Sequence, residues 1–257
     1  MLRTEAIKDY ELKNYIHCSN LYSIDPAYYD LTLSQNVFRQ VLNDFYLLII
    51  KNELHSFDEQ LFLIIKKNIN LYYPKALVNE SQKLISYLIA GVHSFIKFFD
   101  LKKFYPILTK TSKIYLLDNN EIIVTYDLIF MQKNKSKFLH AVTFTNCNSN
   151  YYLESDPFNH LKLKCLSDFY SSRRYSNPAT YLHVLNIPNI EFNNKNLKTF
   201  PLKKSSFSEK QIDYELLNSV STYLNEMKDP KPFIPKPSCF FTACPKRKEC
   251  QNGSNIR

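Results

Sequence analysis

Glycine is almost absent from this chain of 257 residues, which contains only Gly91 and Gly253. A loop that cradles phosphate with its backbone amides needs several closely spaced glycines, so P-loop and dinucleotide-binding sites are excluded. The sequence also lacks a serine or cysteine in a nucleophile-elbow pattern, and it lacks a His-Glu-x-x-His helix. Any chemistry of this protein must therefore come from another kind of site.

Long apolar runs are missing as well. No apolar stretch reaches the roughly 20 residues that a membrane-spanning helix needs, and the residues that follow Met1 are charged from the outset. Because 45% of the residues are hydrophobic, the composition predicts a globular chain that forms a substantial core as a single domain. We therefore expect a cytoplasmic protein with no membrane partner.

Basic residues outnumber acidic ones by 33 to 24, which gives a formal net charge of +9. A charge of this size favours a polyanionic partner, most simply nucleic acid, although an AT-rich genome would also enrich a chain in lysine and asparagine. Arg173 and Arg174 lie near Phe169, Tyr170 and Tyr175 in the sequence, as in grooves that bind single strands. The alternative is that this pair, like Lys203-Lys204 and Lys246-Arg247-Lys248, belongs to a solvated face.

Four of the six cysteines lie in the terminal segments, and these are Cys18, Cys239, Cys244 and Cys250. Four thiolates are the ligand set of one iron–sulfur cluster or one structural zinc, and cytoplasmic cysteine groups more often bind metal than form disulfides. We prefer a cluster and keep zinc as the alternative, because the spacing alone does not separate them. A centre shared by Cys18 and Cys239 would close a loop of 239 − 18 = 221 residues. Cys147 and Cys165 are expected to be plain thiols.

Hydrophobic periodicity predicts helices first and strands afterwards. The predicted helices cover about 33–51, a segment that begins with a capping box at Ser56–Glu59, about 80–99, 157–170 and 209–227. The predicted strands cover a hairpin at 113–117 and 121–130 that turns at Asp118–Asn120, then 137–145 and 180–187. We expect one domain over 1–257, with a helical part at 1–100, a sheet core at 101–228 and a cysteine segment at 229–257.

The α-β-β-β-α-β order, with a lone early cysteine and three cysteines behind a proline-rich stretch, resembles the iron–sulfur branch of the PD-(D/E)XK nucleases. This branch includes RecB-like phage nucleases, CRISPR-associated adaptation nucleases and the nuclease domain of the AddB helicase subunit. The resemblance covers nearly the whole chain. It implies an α/β fold with a mixed sheet flanked by helices, and termini that are joined by a [4Fe-4S] cluster.

Individual motifs carry this resemblance. Cys18 with Tyr22 resembles the first cluster ligand and its aromatic neighbour, and the segment 233–250 resembles the C-terminal ligand set that closes the cluster. Gly91-Val92-His93-Ser94 resembles the Gly-x-His helix motif of the family, and Tyr126-Asp127-Leu128-Ile129 resembles the strand whose aspartate holds the catalytic Mg²⁺ or Mn²⁺. The resemblance therefore implies that His93 and Asp127 are catalytic or vestigial residues. His93 is expected to point inward, as a core residue or as the partner of Asp127.

The chain also departs from the family pattern. The strand 139–145 carries neither the carboxylate nor the lysine that metal-assisted hydrolysis needs there. In the following helix, His160 and Lys164 occupy the spacing at which relatives carry a glutamine and a tyrosine. Lys162 and Lys164 are candidates for nucleic-acid contact. With Glu154 or Asp156, they are also candidates for catalytic residues that have migrated.

These patterns support three hypotheses. The preferred one is a nuclease-fold protein with lost or impaired cleavage that binds DNA, single-stranded or with ends, or a partner subunit of a helicase–nuclease complex. The second is an active metal-dependent deoxyribonuclease with migrated catalytic residues. The third is a zinc-binding interaction module without a nucleic-acid role.

Overall fold

Three helices form the N-terminal part of the computed structural model, which describes residues 6–8, 11–12, 33–74, 78–133, 135–145, 153–171, 179–187 and 200–228. They are α1 (Leu33–Ile50), α2 (Phe57–Tyr72) and α3 (Val78–Phe98). Val37, Phe38, Val41, Leu42 and Phe45 of the apolar stripe of α1 are fully buried. The bounds of these three helices lie within about two residues of the predicted ones. The capping box is not formed, because Ser56 makes no side-chain hydrogen bond at the start of α2. The Gln60 side chain instead accepts from the His55 amide at 2.8 Å and donates to the Glu53 carbonyl at 2.9 Å.

The described residues form a mixed sheet of six strands. The strands are β1 (Ile7–Lys8), β2 (Phe104–Leu117), β3 (Asn120–Gln132), β4 (Lys135–Thr145), β5 (Ala179–Asn186) and β6 (Lys203–Ser208). β2, β3 and β4 are an antiparallel meander, β5 runs parallel to β4, and β6 returns antiparallel to β5. β1 pairs in parallel with β3 on the edge that β4 leaves open. The predicted α/β fold is confirmed, whereas β1 and β6 were not predicted.

The turn between β2 and β3 follows the predicted chemistry. Asp118 and Asn119 both have positive φ angles, of 48° and 63°. Two consecutive left-handed residues match the twist of the flanking strands, and aspartate and asparagine tolerate this conformation better than most side chains. The predicted hairpin is therefore confirmed, and both of its strands are longer than the pattern indicated.

Two helices follow the meander. α4 (Pro157–Ser171) connects β4 to β5, and α5 (Tyr214–Lys228) follows β6. The predicted start of the last helix at 209 is wrong, since Glu209–Gln211 forms a separate short 3₁₀ turn. α5 begins only after Asp213, whose Oδ1 accepts from the Glu215 and Leu216 amides as a helix cap.

The sheet separates two hydrophobic cores. One core joins α1, α2 and α3 to β3 and β4 through residues such as Phe38, Phe130 and Phe144. The other joins α4 and α5 to the sheet through residues such as Leu161 and Val220. Helices thus cover the sheet on both faces. None of the helices among the described residues combines the length and the apolar character needed to cross a bilayer.

Gly91 allows α3 to approach its neighbours closely. A Cβ atom built on Gly91 would lie 2.6 Å from the Phe38 ring on α1 and 2.7 Å from the Phe200 ring. Carbon contacts this short do not occur in real packing, and aromatic rings in a dense core cannot move aside cheaply. The glycine of the Gly-x-His motif is therefore required by packing in this fold.

Candidate functional site

Asp127 lies where two central strands separate. The pairing of β3 with β4 ends at Leu128 and Val142, and β4 then continues to Thr145 alongside β5 alone. Asp127 is the next residue on β3, and its side chain is only 3% exposed. The guanidinium of Arg39 on α1 donates its Nε–H to the Asp127 Oδ1 and forms an ion pair with it. A buried carboxylate needs such a partner, because leaving its charge unpaired inside a protein is costly.

Lys110 stands opposite Asp127 on β2. The pairs Thr109–Leu128 and Thr111–Tyr126 flank this position in one register. Lys110 has a φ angle of 44°, a left-handed conformation that is rare for a residue with a Cβ. Strained backbone of this kind persists only where its surroundings enforce it. Here the Lys110 ammonium donates to the Gln40 side chain on α1.

Asp44 extends this polar group toward α2. Its carboxylate accepts from Gln40 Nε2 at 2.6 Å and from Asn68 Nδ2 at 3.1 Å. We call these six residues the Asp127 cluster: Arg39, Gln40, Asp44, Asn68, Lys110 and Asp127. Although Lys110 is exposed as a residue, partial burial of its ammonium lowers its pKa, while the charges of Asp44 and Asp127 act to raise it. The cluster contains two cations and two carboxylates, so its charges compensate one another.

The Asp127 cluster does not fit a catalytic Mg²⁺ or Mn²⁺. Such hard cations take several oxygen ligands. The Asp127 carboxylate is already bonded to a guanidinium, which competes with a metal ion for its oxygen atoms. Within the described ranges, no group of three or more His, Cys, Asp or Glu residues could hold a metal ion. The two residues proposed to supply a missing carboxylate lie elsewhere. Glu154 is exposed, and Asp156 Oδ1 accepts from the Phe158 amide at 2.9 Å at the start of α4.

The structure does not bear out the expected orientation of His93. This residue is exposed on α3, and its ring lies against Phe57 with the two centroids 5.6 Å apart. The neighbouring residue Val92 faces the core instead. The Asp127 carboxylate pairs with Arg39, so the expected His93–Asp127 partnership is replaced by an arginine from another helix.

Lys162 is buried, with 5% exposure, and it points toward β4. Its ammonium donates to Thr143 Oγ1 at 3.1 Å and lies 4.8 Å from the centre of the Phe158 ring. Thr143 lies in the segment 139–145 of β4, which contains no lysine, so Lys162 brings an ammonium from α4 to this segment. Burial removes Lys162 from any surface on which nucleic acid could lie. Lys164 is ion-paired with Asp168 one turn along the same helix.

His160 has a structural role. Its Nε2–H donates to the Glu154 carbonyl at 2.7 Å, and its Nδ1 accepts from the Asp213 amide at 3.1 Å. These two hydrogen bonds tie the start of α4 to the start of α5. The position at which relatives carry a glutamine is therefore engaged inside the fold.

A pair of buried histidines was missed by the sequence analysis. His140 Nδ1 and His183 Nε2, on neighbouring strands, are 2.9 Å apart, and His183 Nδ1 is 2.8 Å from the hydroxyl of Ser206. Burial lowers the pKa of His140 to about 4, with a further contribution from the charge of Lys204. Burial also holds the pKa of His183 well below its usual value, and His140 and Lys204 add to this effect. Both imidazoles are therefore neutral near pH 7. Histidine inside two apolar strands, at 139–144 and 182–185, was the signal available in the sequence.

Several predicted residues lie outside the described residues: Cys18, Cys239, Cys244, Cys250, Arg173 and Arg174. Cys147 lies there too. Cys165 is buried on α4, and burial raises the pKa of its thiol to about 11, as expected of an inert core cysteine.

No protein-family model matches the chain, and no curated protein matches it significantly.

Proposed function

We propose that this protein binds DNA through a nuclease-like fold and has lost, or nearly lost, metal-dependent cleavage. The observation that carries this proposal is the ion pair between Asp127 and Arg39. Asp127 is the residue that resembles the metal-binding aspartate of the PD-(D/E)XK nucleases, and its carboxylate is engaged by a guanidinium. The core order α3-β2-β3-β4-α4-β5 is consistent with that family and does not by itself identify it.

The chemistry of phosphodiester hydrolysis explains why this arrangement is unfavourable for cleavage. A metal-dependent nuclease needs a cation that polarises the phosphate and activates water, held by more than one oxygen ligand. In β4 the residues at 139–145 contain no carboxylate, and the lysine that reaches this strand, Lys162, contacts Thr143. Charge that develops in the transition state would then be stabilised poorly.

DNA binding rests on charge. The net charge of +9 favours a polyanion, and binding that releases counterions from phosphates weakens steeply as salt is added. We also propose that Cys18, Cys239, Cys244 and Cys250 hold one [4Fe-4S] cluster, with zinc as the alternative. A partner subunit of a helicase–nuclease complex remains compatible with this function.

Cleavage of labelled single- and double-stranded DNA, measured with Mg²⁺ and with Mn²⁺, tests the loss of activity. We expect cleavage no faster than that of an Asp127→Asn variant. Robust cleavage that this substitution abolishes would contradict the proposal and establish the second candidate, an active nuclease with migrated residues. The contact between Lys162 and Thr143 is the observation that favours that candidate, so Lys162→Met belongs in the same assay.

Metal analysis of protein purified without oxygen tests the cluster. We expect about four irons and four sulfides per chain with a brown chromophore. Stoichiometric zinc without iron would favour the zinc-binding interaction module, and failure to bind DNA at low salt would then leave that module as the better account.

A further inference from the structure

Five exposed lysines surround the end of α3 on the described surface. Lys97 lies in the last turn of α3, Lys102 and Lys103 lie in the turn that leads into β2, and Lys133 follows β3. Lys204 lies on β6, with its ammonium 5.2 Å from the centre of the Phe98 ring and 5.5 Å from that of Phe99. We call this group the lysine surface.

Backbone hydrogen bonds hold the lysine surface together. The amides of Lys103 and Phe104 both donate to the Asp100 carbonyl at 2.8 Å, which closes the turn after α3. The Lys133 amide donates to the Lys103 carbonyl at 2.8 Å, so the end of β3 is tied to the same turn. The lysines therefore project from a rigid junction of helix, turn and strand.

The charges of this surface are not compensated within the described residues. Each cation of the Asp127 cluster is bonded to an acidic or amide side chain, and Lys164 is paired with Asp168. None of the five lysines of the lysine surface is in such an ion pair among the described residues. The acidic residue in this stretch, Asp100, uses a carboxylate oxygen to accept from the Lys102 amide at 2.9 Å. Uncompensated ammonium groups hold the loosely bound anions that a polyanion displaces on binding.

Aromatic side chains accompany these cations. Tyr105 is 40% exposed at the start of β2, two residues after Lys103, and it pairs with Met131 next to the end of β3. Phe98 is partly buried beneath the Lys204 ammonium. Cations that follow a phosphate backbone, combined with an exposed ring on which a base can stack, are the features of surfaces that bind single strands.

We propose that Lys102, Lys103 and Lys133 of the lysine surface form, with Tyr105, the docking site for single-stranded nucleic acid. This inference rests on the proposed DNA binding and locates it on the described part of the fold. It differs from the expectation based on Arg173, Arg174, Lys162 and Lys164. Phosphates lie along Lys102, Lys103 and Lys133, and a base stacks on the Tyr105 ring.

The test measures binding of a labelled oligo-dT of about 16 nucleotides, enough for one site, by fluorescence anisotropy over a series of salt concentrations. The test variant is Lys102→Glu/Lys103→Glu. The matched control is Lys66→Glu/Lys67→Glu, which reverses two adjacent exposed lysines on α2 and changes the net charge equally. Thermal unfolding of each variant checks that the fold is intact.

We expect the test variant to bind oligo-dT at least tenfold more weakly than the wild type. The slope of log affinity against log salt should decrease by about 1.4, which corresponds to the loss of two contacts with single-strand phosphates. The control should retain the wild-type slope. Equal effects of the two variants would overturn the location while leaving DNA binding in place. Absence of wild-type binding at low salt would overturn both. If the test variant unfolds, Lys133→Glu alone replaces it, with an expected decrease in slope of about 0.7.

Stacking on Tyr105 is tested with an abasic strand of the same length. We expect the wild type to prefer oligo-dT over the abasic strand by about fivefold or more, and Tyr105→Ala to remove this preference. A preference that survives the substitution would overturn the stacking role. Equal affinity for duplex DNA through the same lysines would overturn the assignment to single strands. Acidic vesicles that bind as tightly as oligo-dT would overturn the assignment to nucleic acid.

Discussion

Mild acid is expected to destabilise this fold through its two buried histidines. His140 is 7% exposed and His183 is 5% exposed, and they share a hydrogen bond of 2.9 Å. Protonation of either ring places a charge in a desolvated position near Lys204, and it leaves two N–H groups facing one another or a charge without a partner. In the unfolded chain both rings return to water and accept protons at their ordinary pKa.

The magnitude follows from the pKa of His140. Its value falls from 6.5 to about 4 on folding, so between these values the unfolded chain binds more protons than the folded protein. The contribution of neutral His140 to the unfolding free energy is therefore fully present above about pH 6.5 and is lost as the pH falls toward 4. At about pH 5 the loss from His140 alone is about 1 to 2 kcal/mol, after a discount for the solvent that still reaches the ring. His183 acts in the same direction.

Urea unfolding at a series of pH values from about 8 to 5 measures this loss. We expect the unfolding free energy of the wild type to fall as the pH falls. In His140→Gln this fall should be about half as large, because one of the two buried rings is absent. The matched control is His93→Gln, which removes an exposed histidine of α3 and keeps the buried pair in place. Most carboxylates titrate below this range, so the difference between the variants isolates the histidine pair. An identical pH dependence in wild type and His140→Gln would refute the reasoning.

Three further expectations concern packing, charge and turn geometry. Gly91→Ala should lower the unfolding free energy by about 1 to 2 kcal/mol, because the clash with Phe38 costs more than the gain in helix propensity. Urea unfolding measures this change, and a variant more stable than the wild type would contradict the expectation. A double-mutant cycle of unfolding free energies with Arg39→Ala and Asp127→Ala should give a coupling energy of about 1 to 3 kcal/mol between the two side chains. A coupling energy near zero would mean that the ion pair does not stabilise the fold. Because the φ angle of Asn119 is 63°, Asn119→Gly should stabilise the protein by up to about 1 kcal/mol and Asn119→Ala should destabilise it. Thermal unfolding measures both variants, and equal melting temperatures would contradict this expectation.

Most of the regular structure could be predicted because its signals are local. Apolar residues at helical spacing marked α1 to α3, and the Asp118-Asn119 turn between alternating strands marked the hairpin. β6 was missed because it is a polar edge strand in which Phe207 is the buried apolar residue. β1 has two residues, too few for any period, and it is defined by its partner on β3. Strands of this kind exist through tertiary pairing and leave little trace in the sequence.

His93 was assigned inward because helical spacing leaves its face ambiguous. The buried stripe of α3 passes through Leu84, Leu88, Val92 and Phe95, and His93 is one residue, or about 100°, away from Val92. The partner of Asp127 was beyond local inference for a different reason. Arg39 precedes it by 88 residues, and the pair forms only when α1 packs across the sheet. The left-handed Lys110 carried no glycine signal at all.

The position of Arg39 on α1 gives Asp127 a structural role. Gln35 lies one turn before Arg39 on the same face of α1, and its side chain donates to the carbonyl of Ile187, just after β5. α1 is thus bonded to Asp127 in the middle of β3 and to the residue that follows β5. The Arg39 guanidinium satisfies the buried Asp127 carboxylate at this position. Replacing Asp127 alone would remove this ion pair and weaken the contact of α1 with the sheet. Asp127 therefore contributes to the stability of the fold through its ion pair with Arg39.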